Sequence, residues 1–274
     1  MIMKQYILAL ALGLSANATF ADTTQLSQSI EGKHRTEANV LRDVYRNPVK
    51  TLDFFGVKPH HTVVEIWPGG GWYTEILAPY LKKDGKLIAA HYDEKDTQAS
   101  YRASSRQGFD KKIASHKVYN KVETQSLVFD ETNKTLKQGV ARSNSVDRVV
   151  TFRAMHGMYS RGITDAAFAH YFDILKPGGK LGLVQHKADA HQDWQSKNIG
   201  YVGQQYIIDA AHKAGFVLEA QAYFNGNSRD TKHYDGGVWR LPPSLKGHTN
   251  EEKKAYQAIG ESDRMTLLFI KPKL

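Results

Sequence analysis

The sequence predicts an α/β protein with an open, mostly parallel sheet. Short β-branched or apolar runs alternate with helical patterns along most of the chain. A glycine turn joins the first run to the helix after it, and the last two runs follow one another with no helix between them. Strand–helix alternation gives a parallel sheet covered on both faces, and a closing strand pair without a helix gives a β-hairpin-like end.

Each element has its own signal. Residues 31–56 carry Val40, Leu41, Val44, Tyr45, Val49, Leu52 and Phe55 at three- and four-residue spacing, which predicts a helix kinked or divided by Pro48. Thr62 to Ile66 reads as a buried strand, Trp72 to Leu81 as a helix, and Lys86 to His91 as a second strand after a Lys83-Asp84-Gly85 turn. Together these make a βαβ unit, whose crossover is right-handed almost without exception. A weak strand at 118–128 and a stronger one at 148–152 follow. A helix at 165–175 stops at Lys176-Pro177-Gly178-Gly179, and a strand runs from Leu181 to Gln185. Val202 to Ala214 is helical and closed by Gly215, Phe216 to Ala222 is a strand, and Met265 to Ile270 is the last. Between those final strands, 223–264 is a long polar insertion rich enough in aromatics to be ordered.

The chain opens with Lys4, an apolar run from Tyr6 to Leu14 and a small-residue stretch ending at Ala21. That order predicts a secretory signal peptide over 1–21 and a periplasmic or secreted product, an uncleaved anchoring helix being the alternative. The run is far short of the roughly 20 residues a bilayer-spanning helix needs. Residues 22–274 suit one α/β domain with the insertion at 223–264. The absence of cysteine excludes disulfides, thiolate metal sites and a cysteine nucleophile. A formal charge of +9 permits acidic partners. The positive residues are scattered, however, with pairs such as Lys82-Lys83 and Lys111-Lys112 separated by acids, and no RNA-binding signature is present. Nucleic acid is therefore not an expected partner, and the oligomeric state is open.

The sharpest feature is Glu65-Ile66-Trp67-Pro68-Gly69-Gly70-Gly71-Trp72-Tyr73-Thr74. Glycines let a ligand approach the backbone, and amides at the next helix N-terminus can meet a carboxylate or phosphate. No Gly-Lys-Ser/Thr follows, so this is not a phosphate loop, and Thr74 stands where a dinucleotide fingerprint has its third glycine. With Lys176 to Lys180 before a strand and Ala214-Gly215-Phe216 after a helix, the stretch resembles class I S-adenosylmethionine-dependent methyltransferases. Thr151-Phe152-Arg153, His156, Gly237-Val238-Trp239 and Glu261 to Arg264 narrow the resemblance to an exported group of predicted methyltransferases.

The resemblance implies a three-layer Rossmann-like fold with a seven-stranded, mostly parallel sheet and an antiparallel last strand. It implies S-adenosyl-L-methionine as cofactor and a small-molecule or protein methyl acceptor. Glu65, Gly69, Gly70, Gly71 and Tyr73 would surround the methionine part. Asp93, two residues beyond His91 on the same strand face, would take the ribose hydroxyls. Arg153 and His156 lie where such enzymes reach the acceptor. His156 is either a general base or a histidine packed beside the pocket.

Other residues carry weaker signals. His186, Asp189 and His191 lie close together without metal-site spacing, and no metal is expected. Trp67, Trp72, Tyr73 and Trp239 either wall a pocket or fill the core. Glu261, Asp263 and Arg264 either fix the insertion through an ion pair or belong to an ordinary surface network. Because S-adenosylmethionine is made in the cytoplasm, a non-catalytic periplasmic binding protein that keeps the fold is the alternative function. An NAD-dependent oxidoreductase is disfavoured by Thr74 and the paired final strands.

Overall fold

The computed structural model describes residues 24–196 and 199–273. The expected signal peptide falls outside these residues. Within them, no helix is long and apolar enough to cross a membrane.

The chain begins with a helix at 24–30 (α1) and three short helices, α2 (Glu37–Val40), α3 (Asp43–Arg46) and α4 (Pro48–Phe54). The single divided helix expected over 31–56 is thus three pieces. Asn47 adopts a left-handed conformation with φ 41°, and Pro48 starts a new helix at the position where its missing N–H costs nothing. The apolar spacing does not mark one buried face, for Val40, Leu41 and Val44 are exposed.

The main chain of elements follows as β1 (Thr62–Ile66), α5 (Thr74–Leu81), β2 (Lys86–His91), α6 (Ser100–Ala114) and β3 (Val122–Ser126). A small antiparallel hairpin, β4 (Val128–Asp130) and β5 (Thr135–Gln138), precedes β6 (Val146–Phe152), α7 (Met155–Ser160), α8 (Thr164–Ile174) and β7 (Leu175–His186). Then come α9 (Gln204–Lys213), β8 (Val217–Ala222), α10 (Asn250–Ile259) and β9 (Arg264–Ile270).

Seven strands form one sheet in the order β3-β2-β1-β6-β7-β9-β8. Strands β3, β2, β1, β6 and β7 are parallel, while β9 runs antiparallel to both β7 and β8. The closing pair is more than a hairpin-like end, because β9 is threaded between its two neighbours. Strand order reverses between β1 and β6, so the crevice above their carboxyl ends is the switch point where ligands enter open α/β sheets.

Adjacent strand residues face opposite layers, as the period of two requires. Val64, Ile88, Val149 and Leu183 pack with α7, α8 and α9. Val63, Leu87, Val150 and Val184 pack with α1, α4 and α5. Gly182 on β7 allows one close approach: a Cβ there would lie 2.3 Å from Cγ of Phe55, whose ring rests against the strand.

The 223–264 insertion is tied to the sheet end by buried polar contacts. Tyr201 Oη reaches both carboxylate oxygens of Asp230 at 3.0 Å, and the Asp263 amide donates to Asp230 Oδ2 at 2.8 Å. Asn225 donates to Thr51 Oγ1 and Thr266 Oγ1, joining the insertion to α4 and β9. Further along the insertion, Val238, Trp239 and Pro242 to Ser244 line a cavity with Trp67 and Arg153.

Candidate functional site

The turn after β1 is built by left-handed residues. Trp67, Gly69 and Gly71 have φ of 44°, 58° and 77°. His91 locks the turn from β2. Its Nδ1 accepts the Tyr92 amide at 2.8 Å, so Nε2 carries the proton and faces the Gly69 carbonyl at 3.2 Å. Burial holds this imidazole neutral, with its pKa lowered to about 4.

The three glycines do different things. A Cβ on Gly69 or Gly70 would meet nothing within 4 Å, and both line a cavity of about 310 Å³. Among the described residues neither amide donates to a protein acceptor. Gly71 faces the other way: its Cβ would lie 3.2 Å from Phe109 and 3.3 Å from Lys112, both on α6. Gly71 therefore permits packing against α6.

Glu65 and Tyr73 also serve the scaffold. Glu65 is buried and accepts from Thr74 Oγ1 at 2.6 Å, tying β1 to the start of α5. Burial raises its carboxyl to about 7, against the opposing pull of that hydrogen bond and of Lys112. Tyr73 stacks on Phe152 with ring centroids 3.5 Å apart and donates to the Arg46 carbonyl at 3.2 Å. Neither residue lines the cavities.

Asp93 does line one, although β2 ends at His91 and Asp93 belongs to the loop beyond, where Oδ1 accepts the Lys95 amide at 2.8 Å. This second cavity, about 630 Å³, lies at the carboxyl ends of β2 and β3 and includes Tyr92, Leu127 and Val128. A third, about 610 Å³, runs past Tyr92, Ala154 and Ser160. Trp67 lines all three. Its ring packs 4.9 Å from Tyr92, and the Arg161 guanidinium sits 4.8 Å above it.

Arg153 and His156 come together where the first and third cavities meet. Arg153 follows β6 as Trp67 follows β1, and it too is left-handed, with φ 61°. Two such non-glycine residues side by side at the switch point are a costly arrangement that concentrates at functional sites. Burial lowers the Arg153 pKa to about 10, partly offset by Glu261. Burial and then Arg153 lower His156 to about 4, so its ring is neutral at pH 7, and its Nδ1 is buried with no hydrogen-bond partner. The backbone beneath is fixed by Gln185, which accepts the Met155 amide and donates to the Gly200 carbonyl.

Sequence reasoning missed most of the charge at this site. Glu261 is shared by three arginines: Arg42 Nε at 2.6 Å, Arg46 Nε at 3.2 Å and Arg264 Nη2 at 2.6 Å. Burial would raise this carboxyl, but Arg264, Arg46, Arg153 and Arg42 together pull it down to about 2. Asn39, Arg42, Trp72, His186 and Trp239 join Gly69 and Gly70 around the first cavity. His186 bonds to Ser262 and Asp189 pairs with Lys232, so these two do not converge on a metal position. No group of three or more metal-ligating side chains occurs among the described residues.

No protein-family model and no curated protein matches the chain. Solved structures do match in fold. A SAM-dependent methyltransferase from Aquifex aeolicus aligns with TM-score 0.54 and 14% identity over 91% of this chain and 98% of its own. The [4+2]-cyclase SpnF aligns with TM-score 0.56 and 14% identity over 94% and 96%. Geranyl diphosphate methyltransferase, solved with SAM, aligns with TM-score 0.55 and 14% identity over 93% and 95%. The strand order, the antiparallel β9 and these alignments agree: the chain has the Rossmann-like fold of the class I SAM-dependent methyltransferases.

Proposed function

We propose that the protein binds S-adenosyl-L-methionine at the β1–β2 side of the switch point and transfers its methyl group to an acceptor in the cavity lined by Arg153 and His156. The observation that carries this is the open backbone at Gly69 and Gly70, whose amides lack protein acceptors beside a cavity. The residues present fit the cofactor: that backbone suits its amino-acid end, Asp93 has Oδ2 available for ribose hydroxyls, and Tyr92, Leu127 and Val128 offer apolar walls to the base.

The cofactor supplies an activated methyl group, so the protein's work is chiefly positioning. Trp67 and Arg153, turned by their left-handed backbone, stand at the boundary between the cavities. Neutral His156 lines both cavities, where its ring can hydrogen-bond an acceptor group and hold it in line. With its pKa near 4 it orients that group better than it deprotonates it. Trp239 and Pro242 to Ser244 of the insertion line the same space.

SpnF, a solved structure of the same fold, is described as a [4+2]-cyclase. Binding without methyl transfer is accordingly the second reading. Calorimetric titration with S-adenosylmethionine and S-adenosylhomocysteine tests the first claim, and micromolar binding is expected. No binding of either would remove it, whereas binding without methylation of any acceptor in a labelled-cofactor screen would leave the second. The reading includes export through residues 1–21, for which N-terminal sequencing of protein from the periplasmic fraction should begin at Asp22.

A further inference from the structure

The cavity beside Gly69 and Gly70 has a wall of unusual charge. Four guanidiniums, those of Arg42, Arg46, Arg153 and Arg264, surround one carboxylate, Glu261. Both imidazoles of the same wall, His156 and His186, are held neutral by burial and add no further positive charge. Other acids of the adjoining segments are already engaged, Asp43 by Arg35, Glu75 by Arg35 and Lys112, and Asp263 by Lys232. The arginines are not saturated by Glu261. Nη2 of Arg42 and Nη2 of Arg46 are buried with no hydrogen-bond partner. The Arg153 guanidinium makes no hydrogen bond or ion pair among the described residues, and Arg153 lines the cavity. Arg46 is 3% exposed and pinned with its guanidinium 4.6 Å from the Trp72 ring, so it cannot relieve its charge by swinging into water.

Uncompensated charge of this kind persists where a ligand of opposite sign completes it. We propose that this cavity holds an anionic oxygen group, a carboxylate or phosphate, on the methyl acceptor, gripped by Arg42 and Arg153 with Trp72 and Trp239 as aromatic walls. This rests on the methyl-transfer reading and narrows its substrate class. The cofactor is a poor source for the missing anion: its one carboxylate is outnumbered by its own ammonium and sulfonium, so it enters as a net cation. Loading it increases the local positive charge, and an acceptor anion offsets the sum.

The test uses the full chain and two probes, inorganic phosphate and benzoate, titrated calorimetrically with and without saturating S-adenosylhomocysteine. One site per chain is expected for at least one probe, filled equally in the presence of S-adenosylhomocysteine, with affinity at least tenfold weaker in both Arg153→Gln and Arg42→Gln. Circular dichroism establishes that each variant is folded. If one variant does not fold, the other decides. Preference for benzoate identifies the group as a carboxylate, and preference for phosphate as a phosphate. No saturable binding of either probe, or binding unchanged in a folded arginine variant, overturns the proposal. So does loss of the probe on saturation with S-adenosylhomocysteine, which would assign the seat to the cofactor's own carboxylate. Probe binding by a protein that ignores S-adenosylhomocysteine keeps the anion site and removes the cofactor reading.

Discussion

Gly70 and Gly71 are adjacent, yet valine at each should fail in a different way. At Gly71 the backbone is left-handed and the new Cβ lies 3.2 Å from Phe109. The left-handed conformation costs a non-glycine residue roughly 1–2 kcal/mol, and overpacking against α6 adds about 1–3 kcal/mol. Gly71→Val should therefore lose about 2–5 kcal/mol, a fall in Tm of roughly 4–20 °C for a chain of this size. Gly70 has no left-handed φ and open space around its Cβ, so valine there should change stability by no more than about 0.5 kcal/mol. Its side chain would instead occupy space beside the ligand seat and weaken S-adenosylhomocysteine by at least about tenfold, or roughly 1.4 kcal/mol. Thermal denaturation and calorimetry on the same two preparations separate the effects. A folded Gly70→Val protein with native affinity would refute the seat, and Gly71→Val with native Tm would refute the contact with α6.

Tyr73→Phe keeps the stack on Phe152 and loses the hydroxyl bond to Arg46, so about 1 kcal/mol of stability should go while ligand affinity stays native; a loss of affinity on titration would return Tyr73 to the site. Glu65 has its carboxyl raised to about 7, so its contribution is fully present below the unfolded pKa and lost as pH rises through 7. Relative to Glu65→Gln, native stability should decline by about 3 kcal/mol across that window, and parallel urea-denaturation curves for the two proteins would contradict this. Glu261, held at about 2, has the opposite sign: its contribution is present above the unfolded pKa and lost as pH falls through 2. Glu261→Gln should cost about 3 kcal/mol or more at pH 7, and native stability in that variant would mean that the arginines do not depend on it.

What the sequence disclosed follows a physical division. Strand periodicity and glycine turns are local, so β1, β2, β6, β7 and β9 could be placed from their residues alone. Helix α6 could not, because Arg102 and Phe109 are its buried side chains and no apolar stripe marks it. The signature of α10 was present and unused: Thr249 and Glu252 form a capping box spaced as in the sequence pattern. Within the site, Gly69 and Gly70 were legible because bare backbone beside a strand end has few other purposes. Whether Gly71 faces a ligand or a helix depends on α6, which arrives from 38 residues further on at Phe109. Of the arginine cluster, only the Glu261–Arg264 pair, three residues apart, was legible; the rest was not, for the same reason. Arg42 and Arg46 are four apart in a segment that reads as an apolar helix, and Glu261 reaches them from the other end of the chain.

Arg153 carries both a strained backbone and a partly buried charge. Its φ of 61° is one a glycine would adopt freely, and burial lowers its pKa to about 10. That shift corresponds to roughly 3 kcal/mol against the charged form, opposed by whatever packing the side chain contributes. Replacing it with glycine removes the charge and the left-handed strain together, at about 0.4–1 kcal/mol for the freer unfolded chain. Arg153→Gly should therefore be at least as stable as the native protein, by about 1–3 kcal/mol, while losing binding of anionic probes. Such a gain is expected where a residue is kept for function at the expense of the fold. Chemical denaturation of the two proteins decides the point: a loss of more than about 1 kcal/mol would mean that Arg153 is a structural cation whose charge Glu261 already satisfies.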